Sequence, residues 1–223
     1  MPYEKPQGNG DHPNSWKTKP FPADANRRIR FESIFGDFLR PDVAQRFLDC
    51  DYLFLAADPM PVRLLFNAVV HQYLIPGVQL GSKVLVNQET GELLDAYSVS
   101  RPVSPDRGCL WCSGFIPPGR LQDDAQGADE RYRQRYVDDP DVIAPSVITL
   151  NATAAAHAAD DFLFTAAGLT FDHAPRDYLR VRPRERSILL EEPRADDDCP
   201  ECGGNSASRR ARGDLGRRLP TRG

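Results

Sequence analysis

Four of the five cysteines fall in two Cys-x-x-Cys pairs, Cys109 with Cys112 and Cys199 with Cys202. A two-residue spacer lets both sulfurs of a pair reach one ion. Two such pairs make a closed tetrahedral four-thiolate site of the structural zinc type. The second pair reads Cys-Pro-Glu-Cys-Gly-Gly and carries the turn residues that a zinc knuckle needs. A redox dithiol is the competing reading. It would be expected to open a helix after a strand, whereas Cys112 is followed by Ser-Gly and soon by Pro117-Pro118. The wide gap between pairs implies that the metal ties distant segments together, with no open position left for catalysis. Trp111, inside the first pair, is expected to pack beside the metal. Cys50, the spare thiol, is expected in the core.

Asp58 is the second candidate. It ends the apolar run Tyr52 to Ala57 and precedes Pro-Met-Pro, with Arg63 and Asn67 one helical turn apart beyond it. A carboxylate, a guanidinium and an amide so spaced could hold Mg²⁺ and a polyphosphate. The plainer alternative is that Asp58 only N-caps the following helix. His12, His71, His157 and His173 show no metal-ligand spacing with one another; His71 and His157 read as packed or surface residues on helices.

The elements that must position these groups follow from periodicity. Ile29 to Phe35 alternates and predicts a strand ended by Gly36; Pro41 to Leu48 predicts a short helix. Tyr52 to Ala57 reads as a strand buried on both faces, and Pro61 to Tyr73 as a helix with Val62, Leu65, Phe66, Val69 and Val70 on one face. Val78 to Leu80, Lys83 to Asn87 and Glu92 to Ser100 predict strands, the last two joined as a hairpin through Glu89-Thr90-Gly91. Residues 117–140 are polar. Ser146 to Gly168 predicts a long helix with Ser146 as N-cap and Gly168 as its stop, and Tyr178 to Arg182 with Ser187 to Leu190 a closing strand pair. The order implies an α/β fold: a partial Rossmann-like parallel sheet with helices, then an antiparallel extension. In such a sheet ligands sit at the carboxyl ends of strands, where Asp58 falls.

The 223 residues, 40% hydrophobic, suffice for one domain with tails. No stretch is apolar for the length of a bilayer and the N-terminus has no apolar signal region, so a cytoplasmic protein without a membrane partner is expected. Residues 1–26, rich in Pro, Gly, Asn and Lys, predict an irregular or disordered N-terminus. Residues 204–223 predict a flexible tail: from Gly203 on there are six arginines and one acid, against an overall charge of −4. The tail lacks aromatic residues for base stacking and the rest of the chain is acidic, which argues against nucleic acid.

With these parts in order, residues 27–203 resemble the carboxyl half of the ThiF/MoeB/HesA adenylyltransferases, relatives of ubiquitin-activating enzymes. The resemblance lies in DYLFLAADPMPVRLLFNAVVHQYLIPGV, a hairpin, a Cys-x-x-Cys, APSVITLNATAAAHAADDFLF and a final Cys-Pro-Glu-Cys. It implies activation of the C-terminal carboxylate of a ubiquitin-like or sulfur-carrier protein as an acyl-adenylate. The cofactors implied are Mg²⁺ and ATP together with structural Zn²⁺. It also implies Asp58 as the Mg-ATP aspartate, Arg63 and Asn67 as the following arginine and asparagine, Cys109, Cys112, Cys199 and Cys202 as zinc ligands, and a homo- or hetero-oligomer. The family's Gly-rich nucleotide loop is absent. Gly8-Asn9-Gly10 has no apolar strand before it and no clear helix after it, and Lys17 and Lys19 are weak candidates for the family's lysine. Residues 113–145 contain no cysteine, so thioester transfer is not expected. The alternative is a catalytically incomplete zinc-binding subunit that docks a complete activating enzyme or its modifier.

Overall fold

The computed structural model describes residues 32–87, 89–125, 147–170 and 177–222. The body set out below is the compact unit that begins at Gly36. Helix α1, Pro41–Arg46, starts on a proline, whose missing N–H costs nothing in a first turn, and runs into a 3₁₀ turn at Phe47–Asp49. Strand β1 is Leu53–Leu55, and helix α2 is Met60–Tyr73. The hairpin strands β2, Gly77–Val86, and β3, Leu93–Val103, turn through Gly91 at φ 71. Helix α3 is Pro118–Ala125, helix α4 is Ile148–Ala166, and strands β4, Tyr178–Arg182, and β5, Ser187–Glu191, close the sheet.

The five strands lie in the order β1-β2-β3-β4-β5. Only β1 and β2 run parallel; the other three pairs are antiparallel. The expected parallel core is therefore reduced, among the described residues, to one pair. The strand expected at Ile29 to Phe35 lies partly outside the described residues, and Glu32 to Phe35 are irregular. Nor is Tyr52 to Ala57 buried on both faces. It forms a three-residue edge strand in which Leu53 and Leu55 are buried and Phe54 is 49% exposed. The two strands expected at 78–80 and 83–87 are one continuous strand.

The two faces of this sheet have different neighbours. Leu53 and Leu55 face α2 and join Leu65, Phe66, Val69, Val70, Val103, Leu110 and Ile116 in the main core. Gly77 is needed there: a Cβ would stand 2.6 Å from the Leu53 carbonyl and 2.8 Å from the Phe66 ring. Helix α4 covers the other face. It buries Leu150, Ala154 and Ala158, an i, i+4, i+8 stripe whose small residues let the helix lie close to the strands. Ser82 donates to Asn151 at 2.6 Å and Ser100 to Asp161 at 3.3 Å across that interface. Gly168, at φ 65, ends the helix as expected, its N–H reaching the Thr165 carbonyl and that of Leu169 the Phe164 carbonyl. Ser146, the expected N-cap, lies outside the described residues; Val147 stands at the cap with no side-chain hydrogen bond.

The expected flexible tail needs the largest correction, because residues 204–222 pack on the C-terminal end of α2. Arg209 is 6% exposed. Its Nε pairs with Glu201 at 3.2 Å, and its Nη1 donates to Gln72 at 2.8 Å and to the carbonyls of Arg217 and Arg218. The Ala211 N–H reaches the His71 carbonyl, Gln72 donates to the Gly213 carbonyl, and Tyr73 donates to Asp214. An arginine-rich composition suggests solvated charge; here Glu201, buried inside the second cysteine pair, holds one arginine in the interior. Cys50 corrects the other way: it is exposed, not in the core.

Arg209→Ala would leave the buried Glu201 carboxylate with only the half-exposed Arg217 guanidinium at 3.5 Å, so unfolding in denaturant should show a loss of about 2 kcal/mol. Unchanged stability would mean that the segment only rests on α2. His71, fully buried with both ring nitrogens lacking hydrogen-bond partners among the described residues, is lowered from 6.5 to about 4 by burial and then by Arg210. As pH falls, the unfolded chain protonates this ring before the folded one does. The ring's contribution is therefore complete above about pH 6.5 and is lost toward pH 4, a change of roughly 3 kcal/mol. The stability difference between wild type and His71→Leu should shift by that amount across the window; a difference independent of pH would refute the assignment.

Candidate functional site

The turn after β3 carries the first cysteine pair. Gly108 allows it to run against the segment before the second pair: a Cβ there would fall 2.0 Å from the Arg194 carbonyl, which accepts the Cys109 N–H at 3.2 Å. The Arg194 N–H in turn donates to the Ser113 hydroxyl at 3.1 Å. Gly203 does the same for the second pair, where a Cβ would lie 2.4 Å from the Asp197 carbonyl. The four ligand sulfurs of Cys109, Cys112, Cys199 and Cys202 lie within 4.8 Å of one another and could hold a metal ion. Sulfurs about 2.3 Å from a central ion at tetrahedral angles stand roughly 3.8 Å apart. Cys109 and Cys199 are 3.8 Å apart, and Cys112 and Cys202 are 3.7 Å apart. The N–H groups of Cys112 and Glu201 point at the sulfurs of Cys109 and Cys199, both at 3.4 Å, as donors to thiolates would.

As thiols these groups share protons. The hydrogen bond to Cys202, then burial, pushes Cys109 up; burial, then Cys199, pushes Cys112 up to about 12. The hydrogen bond from Cys109 brings Cys202 down to about 6. A bound cation would take all four as thiolates. Trp111 packs against both the sulfur cluster and the main core, as expected.

Asp58 lies on the turn between β1 and α2. Pro59 stands at the helix cap, and no side chain caps the first turn, so Asp58 is not an N-cap. Its carboxylate is 97% exposed and pairs with Arg63 Nη2 at 3.4 Å. Asn67, one turn further, points elsewhere: it is fully buried and its Oδ1 accepts the Leu110 N–H at 3.0 Å. The structure thus brings Asp58 and Arg63 together and ties Asn67 to the cysteine turn.

Asp58 and Arg63 line a basin of about 610 Å³ on the sheet face away from α4, a volume suited to a nucleotide or a peptide tail. Arg63, Lys83, Arg101, Arg120 and Arg180 line it, against the single carboxylate of Asp58. Arg101 is 7% exposed, with its guanidinium 4.0 Å from the Phe115 ring centre. Burial, then the charge of Arg63, lowers it to about 10. Arg180 lies over Tyr97 at 4.9 Å and pairs with Glu191 at 2.9 Å. Reasoning from motifs missed these groups. The signal lay in the strand period: Gln79, Gly81 and Lys83 alternate on β2, and Tyr97, Val99 and Arg101 on β3, so each set shares a face.

No protein-family model and no curated protein matches the sequence. Solved structures do match in fold. Escherichia coli MccB with ATP superposes at a TM-score of 0.53 and 16% identity, over 76% of this chain and 44% of MccB. The microcin C7 biosynthetic enzyme MccB in complex with N-formylated MccA superposes at 0.51 and 17% identity, over 73% and 44%. At such identity the likeness shows the fold alone. The chain spans less than half the length of these neighbours. No helix among the described residues is long and apolar enough to cross a membrane.

Purified protein should carry about one tightly held metal ion per chain, and Cys199→Ser should lose it. Because a closed thiolate site contributes folding free energy directly, the variant should also melt well below wild type. A Cys199→Ser protein with undiminished metal content and melting temperature would remove the site.

Proposed function

We propose that this chain is an adenylyltransferase domain of the ThiF/MoeB/HesA type that activates the C-terminal carboxylate of a peptide or small modifier protein with Mg-ATP. The observation that carries this reading is the exposed Asp58 carboxylate, paired with Arg63 on the β1–α2 turn and opening onto a cationic basin. The sequence resemblance gives these two residues the nucleotide role. The fold likeness to MccB, whose structures include complexes with ATP and with MccA, supports the same direction.

The chemistry required is simple. A carboxylate oxygen bonds to the α-phosphorus of ATP while the bond to the bridging oxygen breaks and pyrophosphate leaves with its electron pair. Mg²⁺ would supply charge neutralisation on the polyphosphate. Asp58 has the hard oxygen donors and the exposure to hold it beside the phosphates. Arg63, held by α2, orients charge toward the same point, and the remaining cations raise the local concentration of anionic substrates. Asn67 acts as a positioning residue, fixing the cysteine turn against the helix that carries Arg63. The four-cysteine site is assigned to Zn²⁺ on its donor type and sulfur spacing, with a structural role. A ubiquitin-like or sulfur-carrier protein is the modifier implied, within a homo- or hetero-oligomer in the cytoplasm.

A second reading has an observation of its own. The sequence holds no Gly-rich nucleotide loop, and β1 is an edge strand with no further strand beyond it among the described residues. A catalytically incomplete subunit, docking a complete activating enzyme or its modifier, fits those facts.

ATP–pyrophosphate exchange by the zinc-loaded chain with Mg²⁺ and candidate carboxylate peptides separates the two. Asp58→Asn should lower exchange by at least about a hundredfold. Its carboxylate is almost wholly exposed, so zinc content and melting temperature should stay at wild-type values. Exchange that persists in the variant would unseat Asp58. Absence of exchange in the wild-type chain would favour the incomplete subunit.

A further inference from the structure

Strands β2, β3 and β4 all contribute side chains to the basin. Gln79 pairs directly across from Arg101, and Arg180 across from Val99, so all three stand on the face away from α4. From Gln79 to Lys83 the strand advances roughly 14 Å, the length of about four residues of an extended peptide. The cations here are arranged at a cost. Arg101 is nearly buried; among the described residues its Nη1 donates to the neutral Gln79 amide oxygen at 2.6 Å, and its buried Nε has no hydrogen-bond partner. Of the groups around it, Arg63 and Arg180 oppose its charge, while Tyr97 and Glu191, the latter already paired with Arg180 at 2.9 Å, favour it. The Nε of Arg180 is likewise buried without a partner. A buried guanidinium with a neutral partner and like-charged neighbours is poorly compensated unless an anion joins it.

We infer that Arg101 and Arg180 bind a carboxylate-bearing side chain of the peptide to be activated, so that the substrate class is a chain with Asp or Glu among its last few residues. The inference rests on the function proposed above and adds its substrate preference. A guanidinium fork matches a planar carboxylate in two parallel hydrogen bonds. The rings of Phe115 and Tyr97, each against one of the two guanidiniums, leave an apolar margin for the stem of such a side chain. Asp58, the group suited to a metal-bound polyphosphate, lines the same basin from the β1–α2 turn.

The test uses the zinc-loaded full chain and acetylated alanine pentapeptides with a free carboxyl end, carrying either glutamate or glutamine at one of the four positions before the last. Affinities are read by NMR titration, with inorganic tripolyphosphate as a separate probe. At one position the glutamate peptide should bind about tenfold or more tightly than its glutamine twin. Gln79→Glu supplies Arg101 with an internal carboxylate. It should bring that ratio close to one without lowering the melting temperature, which avoids emptying a buried site. Equal binding of the twins at all four positions overturns the inference. So does a glutamate preference untouched by Gln79→Glu. Tripolyphosphate binding that Gln79→Glu weakens, with the peptide twins indistinguishable, would make the floor a polyphosphate site instead. Pyrophosphate exchange without a glutamate preference would remove this inference alone. A glutamate preference without exchange would remove the proposed activity and leave the carboxylate site standing.

Discussion

The constraint that ties the most distant parts of this domain is a cluster of four cysteines on two turns 90 residues apart in sequence, with Cys109 3.8 Å from Cys199 and Cys112 3.7 Å from Cys202. The first turn leaves the end of β3 and delivers Leu110 and Ile116 to the main core. The second brings the C-terminal segment onto α2 through Glu201 and Arg209. Asn67 joins the first turn to α2 by a buried hydrogen bond. Sheet, helix and C-terminal segment therefore meet at one point. A metal held by the four thiolates, as proposed above, would join these distant parts and remove much of the freedom of the unfolded chain.

The sheet itself divides the labour. One face is closed by α4, whose alanines permit near approach and whose Asn151 and Asp161 satisfy strand hydroxyls. Among the described residues the other face is closed at its β1 end by α2 and at the start of β4 by the cysteine turn, where Phe115 packs on the buried Tyr178. Beyond those points the same strands present Gln79, Arg101, Arg180 and Lys83 to a basin. Alternation along a strand makes this division possible, since neighbouring residues such as Ser100 and Arg101 serve opposite sides.

Much of this was legible beforehand. Both cysteine pairs, α1, α2, the hairpin, the long helix with its glycine stop and the closing strand pair follow from spacing and period. The failures have physical causes. Tyr52 to Ala57 is apolar throughout, so its composition could not show that only Leu53 and Leu55 face the core while Phe54 leans on Phe162 of α4. Arginine counts described the C-terminal segment as solvated because nothing local revealed that Glu201 would be buried. The basin residues Lys83, Arg101 and Arg180 come from three strands with no shared motif. Only the pairing register brings Arg101 opposite Gln79, and register is a property of the folded sheet.

The separation of the two cysteine pairs also sets an order of events during synthesis. A ribosome adding roughly 5 to 20 residues per second completes Cys199 about 5 to 20 s after Cys109. Throughout that interval α2, β2 and β3 are already made, while the turn that should lock them holds only two of its four sulfurs. Two thiols cannot close a tetrahedral shell, and thiolates left partly exposed are the ones that oxidise or exchange. The nascent chain thus passes through a stage at which its first pair is chemically vulnerable and its sheet is without its clamp. With the four thiolates holding Zn²⁺ as proposed above, supply of metal and of reducing conditions during translation, rather than after it, would set how much of the protein reaches the folded state.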